Sequence, residues 1–296
     1  MTSPTAQSDA LAALARPSGA FAMVANDQRE SLRTIFAEEG RPGAEDAELV
    51  AFKLSVARVL SPAASAMLVD RRFTMQPMLD AGALDPHCAL IVAADELEQA
   101  PGGPVTEARI DRTVDPAAMA RLGASALKLL VIWRDDAARE ERLAMVDEFI
   151  GRCRGAGLAS VVEPVVRPTP GVALNAAIED AARQVGALRP DLYKSEVPFH
   201  GAAEPIEVAR AAERISELVG GPWVVLSQGV DPERFPLAVG AACRDGASGF
   251  LAGRAVWRDA IAGDPAETDE RLRSGALPRL ERLAATVDAH ARPWNA

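Results

Sequence analysis

Apolar residues along this chain switch between two spacings, and the switching predicts the fold. Short apolar runs that read as buried strands cover Gly19–Ala25, Ser65–Val69, Cys88–Ala94, Ala126–Trp133, Ala159–Val166, Asp191–Phe199, Trp223–Leu226 and Gly249–Ala252. Between them apolar positions recur every three to four residues, predicting helices over Ser31–Glu39, Ala44–Leu60, Gln76–Ala81, Pro116–Gly123, Ala137–Gly155, Gly171–Leu188, Ile206–Val219 and Pro232–Arg244. A short helix around Ser8–Ala15 precedes the first strand, and the chain beyond Gly253-Arg254 reads as helical through Ala291. Gly40, Ser61-Pro62 and Arg189-Pro190 stand where helices should stop. A long polar connection carrying Pro101-Gly102-Gly103-Pro104 follows the third strand. Eight strands, each followed by at least one helix, fit a single α/β domain over residues 1–296: a (β/α)8 TIM barrel with an extra N-terminal helix. No Gly-x-Gly-x-x-Gly turn opens the first helix and no Walker phosphate loop is present, which weakens a doubly wound nucleotide-binding reading.

Composition narrows the function. With 296 residues, 49% hydrophobic and 25% charged, the chain has enough apolar material for a full core. Its net charge of −10 argues against a nucleic-acid binder or an anionic-membrane binder, so any anionic ligand must be held by a few placed groups. No apolar run approaches the roughly 18–20 residues that span a bilayer, and the start of the chain lacks a secretory pattern, so a cytoplasmic protein is expected. Cys88, Cys153 and Cys243 are odd in number and unpatterned, suggesting core thiols. His87, His200 and His290 are scattered, so neither a metal site nor another cofactor is expected. A homo-oligomer is expected.

The candidate chemistry lies in the lysines. Lys53, Lys128 and Lys194 are the only lysines among 32 basic residues, every other one being arginine. Lys53 falls on a mixed helix face and reads as surface. Lys128 and Lys194 sit inside strand-like runs. Arginine cannot replace lysine where the group must lose a proton and attack a carbonyl, which makes Lys194 a candidate Schiff-base nucleophile. The alternative is a lysine at a strand end reaching for solvent. The polar residues Asp27, Asp70, Asp95, Lys128, Glu163, Lys194, Ser227 and Arg254 recur about once per βα unit, itself roughly 30 residues or more. That spacing puts Lys128, Glu163 and Lys194 on adjacent barrel strands, where one orientation can aim all three inward.

In that arrangement Lys194 forms an iminium electron sink and Glu163 moves protons on and off a substrate hydroxyl. Lys128 disfavours charge on Lys194 and stabilises developing negative charge. Glu163 could equally be a structural ion-pair partner of Lys128. Ser227-Gln228-Gly229 and Gly253-Arg254 follow the last two strands, where barrels often hold a phosphate, though the glycines there also suit plain turns. Asp27-Gln28-Arg29-Glu30-Ser31 either caps the following helix or touches substrate hydroxyls; Asp70 and Asp95 are similarly open. His200 reads as loop surface, with a substrate contact as the alternative. Tyr193 should point away from Lys194, and Trp133 and Trp257 read as packing residues.

Asp191-Leu192-Tyr193-Lys194-Ser195-Glu196-Val197-Pro198-Phe199 resembles the Schiff-base strand of the metal-independent tagatose-1,6-bisphosphate aldolases and their sulfofructosephosphate aldolase relatives. The stretches Val24–Arg33, Leu127–Leu130, Val162–Pro164, Leu226–Gly229 and Ala252–Ala255 resemble the same family, so the similarity spans almost the whole chain. It implies a class I aldolase in which Lys194 forms the Schiff base, Glu163 and Lys128 assist proton transfer, and Ser227, Gly253 and Arg254 hold an anionic end of the substrate. The compact length and the start of the first motif look closer to the sulfofructosephosphate branch. Asn26 and Ser195 depart from the pattern, where small or apolar residues and valine are usual, and they leave the substrate open. The expected reaction is cleavage of 6-deoxy-6-sulfofructose 1-phosphate to dihydroxyacetone phosphate and sulfolactaldehyde. The alternatives are a tagatose or fructose 1,6-bisphosphate aldolase, a non-catalytic sugar-phosphate sensor and a sugar-phosphate isomerase.

Overall fold

Alternation along the strands sorts side chains into two shells. The computed structural model describes residues 9–100 and 103–296. Ten strands occur among them: β1 (Phe21–Asn26), β2 (Ala66–Val69), β3 (Ala89–Ala93), β4 (Asp95–Gln99), β5 (Val105–Ile110), β6 (Ala124–Trp133), β7 (Ala159–Val166), β8 (Leu192–Glu196), β9 (Trp223–Leu226) and β10 (Gly249–Ala252). Eight of these close into a parallel barrel in the order β1-β2-β3-β6-β7-β8-β9-β10, as the alternating pattern predicts. Ala22, Val24, Met67, Val69, Val92, Leu127, Val162, Tyr193 and Val225 face the surrounding helices, while Phe21, Met23, Leu68, Ile91, Ala126, Val161, Leu192, Val224 and Leu251 fill the interior. Tyr193 therefore points outward, as expected from its place beside Lys194.

The same two-residue period carries the interior row upward into polar chemistry: Ala126 leads to Lys128, Val161 to Glu163, and Leu192 to Lys194. The register pairs Val161 with Leu192 and Val162 with Tyr193, which brings Glu163 level with Lys194 one step further on. On the other side Lys128 pairs with Val161, and Leu130 pairs with Glu163. At the opposite end, Leu11 and Leu14 pack on the interior row with the partly buried Trp294, closing the barrel where the strands begin.

Between the strands lie α1 (Glu30–Glu38), α2 (Asp46–Leu60), α3 (Gln76–Asp80), α4 (Pro116–Arg121), α5 (Arg139–Gly155), α6 (Leu174–Gly186), α7 (Pro205–Val219) and α8 (Phe235–Arg244). Their starts are written locally: Glu45 with Glu48 and Glu204 with Glu207 form capping boxes, and Asp115 accepts from the Ala117 N–H. After β10 the chain forms α9 (Arg254–Trp257), closed by a 3-10 turn over Arg258–Ala260, and then α10 (Pro265–Arg271) and α11 (Leu277–His290), which a π-helical turn over Leu272–Ala276 joins into one continuous helix.

Three expectations change. The connection after the third strand is an antiparallel hairpin of β4 and β5, with Asp95 paired to Ile110. Its strands alternate exposed and covered positions, and their charged residues made them look like loop. Pro101 and Gly102 of that connection lie outside the described residues, as does Ser8 of the expected first helix, which is helical over 9–12. The Lys194 strand stops at Glu196: Pro198 begins a tight turn in which Phe199 and His200 take positive φ values of 56° and 48°.

No helix among the described residues is long and apolar enough to cross a membrane. Cys88, Cys153 and Cys243 are all free and buried, and burial pushes the thiols of Cys88 and Cys243 up to about 12.

Candidate active site

The interior row ends in a cavity of about 970 Å³ at the C-terminal ends of the strands, walled by Lys128, Glu163 and Lys194. Lys194 is almost wholly buried, and its Nζ lies 2.9 Å from Glu163 Oε1. Glu163 Oε2 lies 2.9 Å from Lys128 Nζ, so one carboxylate stands between the two lysines. Lys128 Nζ also meets Asp27 Oδ2 at 3.0 Å and Asp95 Oδ2 at 3.1 Å. The side chain of Asp95 is fully buried; it accepts the Leu130 N–H at 3.0 Å and an Arg29 Nη2 donor at 2.5 Å, while Arg29 Nη1 donates to the Asp95 carbonyl at 2.7 Å.

Burial alone would drive these groups toward neutrality, and mutual attraction reverses it. The Lys128 ammonium is disfavoured by burial, yet Asp27, Asp95 and Glu163 together raise its pKa well above the usual lysine value. It is a fixed cation. Burial likewise opposes ionisation of Asp27, but Lys128 and Lys194 hold its carboxyl far below the usual range. Asp95 is held low against burial by Lys128 and Arg29. The result is a preorganised set of largely buried charges on the cavity wall, with Glu163 positioned to exchange a proton with Lys194 or with a bound hydroxyl.

A second region faces this cluster. Ser227, Gln228, Gly253 and Arg254 line the same cavity. Arg254 makes no ion pair among the described residues, and its hydrogen bond to Gln228 Oε1 is long, at 3.5 Å. Burial pulls its guanidinium pKa down, with Glu163 opposing in part. An arginine with this much unused donor capacity suits an anionic ligand group. Gly253 must be glycine, since a Cβ there would lie 2.5 Å from the Ala25 carbonyl oxygen. Gln28 also lines the cavity, and its Oε1 is buried without a hydrogen-bond partner. Gly229 does not line it; at φ +76° it packs beneath the His200 ring, which lies 2.6 Å from where a Cβ would be. His200 is half-buried, with Nε2 3.3 Å from Glu196 Oε1. Trp257 and Trp133 are packing residues whose Nε1 groups donate to Ala25 O and to Asp180 respectively.

Lys53 contradicts the expectation of a surface lysine. It is completely buried and paired with Asp70 at 2.6 Å. On α2 the buried stripe runs through Leu49, Phe52, Lys53, Val56, Ala57 and Leu60, so its face is apolar rather than mixed. The sequence marks Asp95 as a strand-end carboxylate and Arg29 as part of the Asp27–Ser31 stretch but leaves both roles open; the structure places them in the Lys128 cluster, with Asp95 opening the β4–β5 hairpin. Among the described residues no group of three or more His, Cys, Asp or Glu side chains is arranged to hold a metal ion.

Residues 21–259 match the sequence model of the DeoC/LacD family of aldolases. A protein of Listeria monocytogenes named tagatose 1,6-diphosphate aldolase is 27% identical, the match covering 97% of this chain and 93% of that one. Tagatose 1,6-diphosphate aldolase 2 of Streptococcus mutans is 25% identical over 96% and 95% of the two chains. Among solved structures, the fructose-bisphosphate aldolase of Plasmodium falciparum superposes with a TM-score of 0.71 at 14% identity, covering 97% of this chain and 95% of that one. An archaeal fructose-1,6-bisphosphate aldolase, whose catalytic lysine is covalently bound to the carbinolamine intermediate, gives 0.65 at 18%, covering 95% and 99%.

Proposed function

This chain belongs to the DeoC/LacD family of aldolases, and from that premise we propose that it cleaves a ketohexose 1-phosphate with an anionic group at C6, through a Schiff base on Lys194. The observation that carries the reading is the buried Lys194 Nζ at 2.9 Å from a carboxylate that a second, permanently charged lysine holds in place. The carbinolamine lysine named for the archaeal fold relative is consistent with that chemistry. The family match from 21 to 259 supports reading residues 1–296 as one aldolase domain.

In the proposed cycle the Lys194 amine adds to the C2 carbonyl, and loss of water leaves a protonated iminium. Glu163 takes the proton of the C4 hydroxyl as the C3–C4 bond breaks. The bonding pair passes to C3 and neutralises the iminium as an enamine, and carbons C4 to C6 leave as an aldehyde. The proton that Glu163 took up is returned to the site as C3 is protonated, and addition of water to the regenerated iminium then releases dihydroxyacetone phosphate and the free Lys194 amine. Lys128 remains charged throughout; its part is to orient Glu163 and to oppose the build-up of negative charge nearby. Arg254, with Ser227, Gln228 and Gly253, binds an anionic end of the substrate.

For the C6 group we favour sulfonate, on the resemblance of the first motif. The names of the listerial and streptococcal relatives favour C6 phosphate as the second reading. Release of dihydroxyacetone phosphate from 6-deoxy-6-sulfofructose 1-phosphate, compared with tagatose and fructose 1,6-bisphosphates, decides between them by kcat/KM. Incubation with dihydroxyacetone phosphate and borohydride should add the reduced ligand to Lys194. An unmodified Lys194 under saturating ligand ends the Schiff-base reading.

A further inference from the structure

Lys53 is the lysine that the cavity does not contain. Its Nζ donates to Asp70 Oδ2 at 2.6 Å and to the Asn26 backbone carbonyl at 2.7 Å. Thr74 Oγ1 reaches the same two acceptors, at 2.5 and 3.3 Å, and Asp70 Oδ1 accepts the Phe73 N–H at 2.7 Å. Asn26 Nδ2 returns a bond to the Lys53 carbonyl at 3.0 Å. Helix α2 and the turn after β2 are thus tied to one peptide group, the one that joins Asn26 to Asp27. Asn26 is the last residue of β1, and the next side chain is the Asp27 carboxylate on Lys128.

We propose that Lys53 is a positioning residue for aldol cleavage: by clamping the Asn26 carbonyl it fixes where β1 ends and so delivers Asp27 to Lys128, which in turn holds Glu163 against Lys194. The inference rests on the catalytic reading of Lys194, Glu163 and Lys128. The choice of residue supports it. Burial lowers the Lys53 pKa despite the opposing pull of Asp70, so the ammonium is held here at a free-energy cost. Replacing such a pair with apolar side chains is often neutral or stabilising, so its presence asks for a role beyond stability. A compact ammonium can meet two oxygens from different directions in a dry pocket, whereas a planar guanidinium is larger and flat. In a chain whose other cations outside the cavity are arginines, that geometry explains a lysine.

Lys53→Met removes the ammonium and keeps much of the stem. Because it leaves Asp70 unpaired, Lys53→Met/Asp70→Asn is made beside it, which removes both charges and keeps an amide oxygen to cap Phe73. A displacement of Asp27 on the order of 1 Å should lower kcat by about 100-fold, with KM and the circular dichroism spectrum unchanged. The deciding measurement is a cycle with Asp27→Asn. If Lys53 acts through Asp27, the combined variant loses no more than the larger single loss. Losses that multiply, a Lys53→Met/Asp70→Asn enzyme with wild-type kcat, or unfolding of both Lys53 variants would overturn the proposal. Borohydride trapping on wild-type Lys194 is run in parallel, so a failure of the Schiff-base reading is seen separately from the cycle.

Discussion

Glu163→Gln separates proton transfer from everything else the cavity does. Both carboxylate oxygens are in use, one on each lysine at 2.9 Å. An amide of the same shape keeps one acceptor and turns an NH₂ toward the other ammonium, so one of the two contacts becomes donor against donor. Lys128 still has Asp27 and Asp95, and Arg29 still holds Asp95. The loss of stability is then confined to a charge-assisted hydrogen bond, about 1.5–3 kcal/mol. The loss in rate should be larger. Positioned acid–base transfer contributes about 10²–10⁴-fold, which is about 2.7–5.5 kcal/mol of activation free energy, and an amide cannot accept the C4 hydroxyl proton. The nucleophile itself remains, so borohydride should still fix dihydroxyacetone phosphate on Lys194. The assay pairs steady-state cleavage with intact mass and a thermal melt. A folded variant that traps ligand and cleaves at the wild-type rate would refute the assignment of Glu163.

Three further outcomes follow from the same charges. Lys128→Met removes the cation shared by Asp27, Asp95 and Glu163, taking from Asp27 its ion-pair partner while Arg29 keeps Asp95 and Lys194 keeps Glu163, and should cost about 3–5 kcal/mol of stability at neutral pH, read from urea midpoints. In the wild type Asp27 and Asp95 have folded pKa values below their unfolded ones, so their stabilisation is present above the ordinary carboxylate range, near about 4, and is lost as pH falls toward the lower folded values. Without Lys128 the attraction that opposes burial is weakened, so both carboxyls are held less far below their unfolded values and the gap between variant and wild type should narrow on acidification; a gap that widens contradicts the network. Arg254→Ala removes a cavity cation that makes no ion pair among the described residues, and losing charge-assisted bonds worth about 1.5–3 kcal/mol should raise KM roughly 10- to 150-fold with a smaller effect on kcat. EDTA should leave cleavage intact, because an iminium supplies the electron sink; inhibition restored by a divalent ion would point to a metal-dependent mechanism.

The barrel was legible because one face of every barrel strand is sealed by helices and the other by the opposing strands. That double burial produces the apolar runs seen in β1, β2, β3 and β6 to β10, and it makes any ionisable residue inside a run conspicuous. Lys128, Glu163 and Lys194 stood out for this reason, and a period of two placed all three on one face. The β4–β5 hairpin was not legible, since it is a two-stranded ribbon with charged exposed positions, which by composition looks like a connection. Asp95 was visible as a strand-end carboxylate, but its role was not. A residue at a strand's end shows no periodicity to either side, so its inward aim toward Lys128 becomes visible only through register.

Lys53 failed for a different physical reason, and the contrast fixes what scarcity can teach. In a strand run a lysine interrupts an unbroken apolar string, whereas on α2 it is one of fifteen residues whose polar members are interleaved by the helical period itself. Its neighbours Leu49, Phe52, Val56 and Leu60 mark the stripe once the α2 face is traced residue by residue. The rarity of lysine applied equally to all three positions, yet only Lys128 and Lys194 were singled out by it; in the structure each of the three ammonium groups is buried and each lies on a carboxylate. Where arginine meets the general need for positive charge, a lysine marks a place where shape or proton transfer excludes the guanidinium. At 128 and 194 that place is the cavity, and at 53 it is the peptide leading into Asp27.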